Sequence, residues 1–142
     1  LLHIVENNFA LRPVYFSNFA EATFYGGLNS HFQNCGLTSR LTPVETGNTD
    51  KNSYDVNKLE LLLQSENFNY LPTLKTDDIP RISGAVFMYH ITFRLLAQEY
   101  KQNGQMEKLK ALIELYKSSI AIGLDEEYEA EILEEMEGML GN

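Results

Sequence analysis

Between Ile82 and Ile120 the apolar residues recur at helical spacing twice, on either side of one short turn. Ile82, Val86, Tyr89, Phe93, Leu96 and Tyr100 stand 4, 3, 4, 3 and 4 residues apart, which places them on one face of a long helix. Gln102-Asn103-Gly104 makes a turn, and Met106, Leu109, Ile113, Tyr116 and Ile120 repeat the spacing on a second helix. Asp77 or Asp78 can cap the first helix, and Pro80 suits its opening turn, where a missing N–H is harmless. Two striped helices joined this closely form an antiparallel hairpin. That pattern excludes an all-β fold and predicts that the C-terminal half is helical.

Gly123 ends the second helix, and Asp125 to Leu140 predicts a third. There Leu124, Tyr128, Ile132, Met136 and Leu140 recur every fourth residue, a stripe that drifts slowly yet stays mostly on one face. It predicts docking on the hairpin with the Glu residues turned to water. Glu126, Glu127, Glu129 and Glu131 suit the positive start of a helix, whereas Glu134, Glu135 and Glu137 oppose its negative end. The end is therefore expected to fray or to meet a basic partner from outside this chain.

Upstream the pattern changes. Leu2, Ile4, Val5 and Phe9 form one face of a short helix ending near Asn7-Asn8, and Arg12-Pro13 breaks it. Pro13 to Ser17 is a β-rich run, and Ser39 to Val44 is a second strand candidate. Leu28, His31, Phe32 and Cys35 between them fit a short helix stopped by Gly36. Strand, helix and strand in so few residues predict a βαβ unit with a small parallel sheet. Glu45 to Ser53 is a loop. Asp55 then caps a helix carrying Leu59, Leu62 and Leu63 and reaching toward Phe68, with a break over residues 70–74. The expected fold class is α+β, mostly helical. It comprises a small βαβ unit (residues 1–45), then a helical part (54–142) made of a tetratricopeptide-like hairpin and an acidic C-terminal helix, together one soluble domain. The hairpin resembles one tetratricopeptide unit, with Leu96-Ala97 and Tyr100 before the turn and Ala111 after it. Arrays of that kind need about three copies, and no second copy is seen.

Charge narrows the function classes. The 142 residues hold 11 Lys and Arg against 20 Asp and Glu, a net charge of −9, which argues against nucleic acid as a partner. From Gly123 onward there are 8 acidic residues and no Lys or Arg, so residues 1–122, with 12 acidic and 11 basic side chains, are nearly neutral. The longest apolar run, Ile82 to Ala97, is interrupted by His90 and Arg94 and falls short of the ~20 residues a spanning helix needs. The opening Leu1-Leu2-His3-Ile4 shows no signal peptide and reads as a cut from a longer protein.

Few residues point to chemistry. Cys35 is the only cysteine, so it forms no internal disulfide and no cysteine-based zinc site. His31 four residues earlier would share its face on a helix, yet a small buried thiol beside a surface imidazole is the simpler reading. His3, His31 and His90 lack metal-ligand spacing, and Tyr25-Gly26-Gly27 is too short for a phosphate loop. No metal or cofactor is expected. Arg12 and Arg40 each border a strand, where a crevice of the βαβ unit can hold a phosphate, a sugar carboxylate or a lipid headgroup. Alternatively they pair with Glu45, Asp77 or Asp78. Tyr15, Tyr25 and Tyr70 can offer a sugar-stacking surface, or serve as buried tyrosines.

Asn8, Arg12-Pro13-Val14-Tyr15-Phe16, Gly27-Leu28 and Gly36-Leu37-Thr38-Ser39-Arg40-Leu41-Thr42-Pro43 stand in an order that resembles one family's. It is the C-terminal region of an uncharacterised family of large multi-pass membrane proteins common in Bacteroidetes. The membrane part of that family looks like the protein-O-mannosyltransferase type of lipid-sugar-dependent glycosyltransferase. The family's acidic pair before an arginine is matched by Asp77-Asp78-Ile79-Pro80-Arg81, which adds Arg81 to Arg12, Tyr15 and Arg40 as candidate ligand-binding residues. The chain departs from the pattern at Phe9 and Ala10, where a Trp is common, and over Phe19 to Phe24.

The resemblance implies an extracytoplasmic (periplasmic) tail after the last membrane helix, with catalytic groups elsewhere in the parent. The expected function is that of a non-catalytic accessory domain that binds a protein or glycan acceptor or braces the membrane part; the alternative is a free-standing peptide-interaction module using the hairpin. A small hydrolase using Cys35 and His31 is a remote third reading.

Overall fold

A computed structural model of the chain describes residues 2–18, 27–46, 53–68, 79–120 and 126–141. The chain divides into two compact units, residues 1–58 and 59–142, each with its own interior.

The first unit opens on helix α1 (Leu2–Asn8) and holds a four-stranded sheet of β1 (Tyr15–Ser17), β2 (Phe32–Asn34), β3 (Thr38–Leu41) and β4 (Ser53–Tyr54), in the order β1-β3-β2-β4. β3 pairs antiparallel with both β1 and β2, and only the two-residue β4 runs parallel to its neighbour β2. The expected parallel βαβ unit is thus corrected to an antiparallel core. The expected helix over residues 28–35 is a single 3-10 turn, Asn29–His31, that runs straight into β2.

The reason is local. Phe32 and Asn34 are buried while Gln33 between them is half-buried, the period of two that belongs to a strand. Gly36 takes φ +92°, a left-handed conformation that costs glycine little. Asn34 Oδ1 accepts the Gly36 N–H at 2.7 Å, and the Cys35 N–H reaches Thr38 O at 2.8 Å. A turn this tight serves antiparallel strands, because a parallel crossover needs a dozen residues or more.

Helix α2 (Val56–Leu62) follows, and the division between the units falls inside it, after Lys58. Asp55 caps it as expected, its Oδ1 accepting the Lys58 N–H at 3.3 Å. Phe68 lies on a separate 3-10 turn, Ser65–Phe68.

The second unit contains α3 (Ile79–Gln102), α4 (Met106–Ser119) and α5 (Glu126–Gly138). The α3–α4 hairpin forms as its spacing requires, and α5 packs against both helices. The α+β, mostly helical class is therefore observed. The turn is a Schellman motif: Gly104 adopts φ +66°, its N–H bonds Lys101 O at 3.1 Å, and the Gln105 N–H bonds Tyr100 O at 2.8 Å. Val86, Tyr89, Phe93, Leu96 and Tyr100 are buried, as are Leu109, Ile113, Tyr116, Ile120, Ile132 and Met136. Each large side chain so removed from water contributes about 1.5–3 kcal/mol. Phe93 stacks edge-on against Tyr116 at 5.2 Å and tilts against Phe68 at 6.1 Å. Asp77, Asp78, Gly123 and Leu124, named above as caps, stop and stripe residue, lie outside the described residues.

Two expectations for α5 are corrected. Glu129 is 5% exposed rather than facing water. The acidic carboxyl end finds its basic partners within the unit: Lys117 pairs with Glu137 at 2.7 Å and Arg94 with Glu135 at 3.8 Å. Lys101 Nζ donates to Met139 O at 2.6 Å, satisfying a carbonyl just past the helix. Among the described residues no helix is long and apolar enough to cross a membrane.

Candidate functional site

The sheet has two unlike faces. Phe32, Asn34 and Leu41 are buried on one, where Phe16 meets Phe32 edge-on at 5.0 Å. On the other, cross-strand register sets Tyr15, Arg40 and Gln33 in one row, since residues opposite each other share a face. Tyr15 is 44% exposed, and Arg40 and Gln33 are half-buried.

Lys58, on the first turn of α2, reaches back over this row. Its Nζ donates to the Tyr15 hydroxyl and lies 4.6 Å from the centre of the Tyr15 ring, a cation–π approach. That hydrogen bond holds the Lys58 ammonium above its usual pKa, opposed by partial burial and by the neighbouring charge of Arg40. Arg40 forms no ion pair among the described residues, and its Nε is buried with no hydrogen-bond partner. An unsatisfied buried donor costs about 1–3 kcal/mol.

Cys35 adjoins the same cluster. Its Sγ donates to Gln33 O at 3.5 Å. Burial pushes the thiol pKa up, and although the positive charges of Lys58 and Arg40 pull it down, Asp55 adds to the rise. A thiol held protonated is a poor nucleophile. His31 is separated from Cys35 by the extended β2, about 13 Å of chain at strand rise, and shares a hydrogen bond with Thr42 O at 3.3 Å. The structure does not place the two on a helical face.

Of the four candidate ligand-binding residues, two come together. Tyr15 and Arg40 are direct cross-strand partners. Arg12 stands apart, exposed after α1, with Nε and Nη2 donating to Asn8 Oδ1 at 3.1 and 2.7 Å. The backbone of Arg81 lies in the first turn of α3, and its side chain is outside the described residues. Tyr25 and Tyr70 are likewise outside them.

Searched against protein-family models, curated proteins and solved structures, the chain matches none.

Lys58 and Gln33 are the members that sequence reasoning missed. Gln33 follows from the β2–β3 register alone. Lys58 is separated from Tyr15 by 43 positions, and no motif links them. Chemically, the face offers a guanidinium, an ammonium, a phenol and an amide, a set of donors suited to an anionic or hydroxylated group. Among the described residues no three His, Cys, Asp or Glu side chains stand close enough together to hold a metal.

In the second unit a shallow cleft of about 190 Å³ lies among Leu63, Leu96, Tyr100, Ala111, Leu112 and Leu115. That is below the ~300–1,000 Å³ of ordinary ligand pockets, room for one side chain of a partner. Glu60 at its margin accepts hydrogen bonds from Tyr100 and Lys108, each at 2.8 Å.

Proposed function

We propose that the chain is a non-catalytic accessory domain of a membrane-bound, glycosyltransferase-like protein, lying on the extracytoplasmic side. Its role is to bind an acceptor or partner group, or to brace the membrane part, while the chemistry is done elsewhere in the parent. The observation that supports a binding role is the sheet face on which Tyr15, Gln33, Arg40 and Lys58 converge, with Arg40 lacking a carboxylate partner among the described residues. The ordered motifs around Arg12-Pro13-Val14-Tyr15-Phe16 and Gly36-Leu37-Thr38-Ser39-Arg40-Leu41 support the parent's class, and two of their residues meet on that face.

The alternative, a free-standing module that grips a peptide between the hairpin helices, has less to work with. The inner stripes of α3 and α4 are buried, and the remaining cleft takes a single side chain. The test is the gene itself. A run of about a dozen hydrophobic spans upstream of Leu1 is expected, each near ~20 residues; a reading frame without them would sink the proposal.

A further inference from the structure

Two cations stand together on the sheet face, in a chain where acidic residues outnumber basic ones by 20 to 11. Arg40 and Lys58 are near enough for the charge of Arg40 to act on Lys58, so they repel each other. Neither has a carboxylate within ion-pair distance among the described residues. Asp55, which like both cations acts on the Cys35 thiol, is engaged at the start of α2. Elsewhere lysines do find acids: Lys108, Lys110 and Lys117 are each paired with a glutamate. Around Arg40 and Lys58 no such pairing is seen among the described residues, and the Nε–H of Arg40, like that of Arg94, is buried without an acceptor.

We infer that Arg40, Lys58 and the Tyr15 hydroxyl form a binding site for a phosphate monoester. This rests on the binding role assigned to the face above and names its ligand class. A planar carboxylate is satisfied by the arginine fork alone. A phosphate monoester brings close to two negative charges and three acceptor oxygens, enough to engage the guanidinium fork, the lysine point charge and the phenol together. It relieves the repulsion between the cations, and with a small rotation of the guanidinium it supplies the acceptor that Nε lacks. The Gln33 amide, next to Arg40 in the row, offers a further donor for a hydroxyl on the ester's body. The first unit carries five acidic and four basic residues, so its own field hardly opposes an approaching anion.

The site is tested on the whole chain with glucose 6-phosphate as probe, following the backbone amides of Tyr15, Gln33, Arg40 and Lys58 by NMR. Saturation at millimolar probe is expected, strengthening as pH rises through roughly 6, where the ester gains its second charge. Lys58→Gln and Arg40→Gln should each weaken binding about ten- to hundredfold, the loss expected for one charged hydrogen bond. Lys110→Gln, on a paired lysine of α4, should not. Should Arg40→Gln fail to fold, Lys58→Gln decides, since it alters a residue of a solvated helix turn.

A second arm co-sediments the chain with phosphatidylcholine vesicles with and without phosphatidic acid. Preference for phosphatidic acid makes the ester a lipid headgroup; binding of glucose 6-phosphate alone makes it a soluble or glycan-borne one. Failure of both probes to saturate, or affinity indifferent to Lys58→Gln, overturns the inference. Phosphate binding by a chain whose gene shows no membrane spans would keep the site and remove the accessory reading.

Discussion

At the residue scale the sharpest expectation concerns Glu60. Lys108 and, after it, Tyr100 donate to its carboxylate and hold its pKa below the ordinary 4.5. A carboxyl whose folded value is depressed stabilises the native state above its unfolded pKa, and the contribution fades as pH falls through the folded value. Thermal melts from pH 7 to pH 3 should therefore show a loss of stability below about 4.5 that is smaller in Glu60→Gln; identical profiles would remove the claim. Tyr116 is the other residue with a clear consequence. It is fully buried, shares a 2.9 Å hydrogen bond with His90, and its phenol is pushed up by burial and then by the charge of Glu129. Tyr116→Phe should cost about 1–2 kcal/mol in urea unfolding. Both interactions were hidden in the sequence. Tyr100 and Tyr116 could be read as stripe members, but nothing in a one-dimensional pattern shows which hydroxyl meets Glu60 or His90. The same holds for Lys58, whose partner Tyr15 lies on an edge strand of another element.

Among elements, legibility followed the length of the repeat. The long α3 and the 14-residue α4 each show several turns of one period, enough to fix type and buried face. Strands of two to four residues show at most one alternation. Over Leu28 to Cys35 a helical spacing and a strand alternation fit equally well, and the hairpin turn at Gly36 decided between them. For α5 the stripe was readable but its charges were not, because Arg94, Lys101 and Lys117 come from two other helices. Gly104 is where sequence and geometry agree most closely. Its positive φ and two Schellman bonds close the α3–α4 turn, and an added Cβ would meet open space. Gly104→Ala should thus lower stability by about 1–2 kcal/mol through backbone conformation alone, with the fold preserved by circular dichroism. No change would mean that the turn carries no strain.

Across the whole molecule the apolar interior is unevenly shared. Phe32 and Leu41 are the buried hydrophobic side chains described in the first unit, whereas the second holds Leu59, Phe93, Leu96, Leu109, Tyr116, Ile132 and many more. Local opening is easiest where few apolar contacts must be broken. Amide hydrogen exchange is expected to protect α3 and α4 most and the strands least; strands as slow as α3 would contradict this. Charge is divided along the same line. The first unit is one charge from neutral, and the second carries 15 acidic against 7 basic residues. The chain is in effect a two-block polyampholyte. Near its isoelectric point of about 4.7 the net repulsion between copies vanishes, while the acid-rich second unit and the nearly balanced first unit still differ in charge. Copies should then attract block to block, giving a maximum in light scattering near that pH which added salt disperses.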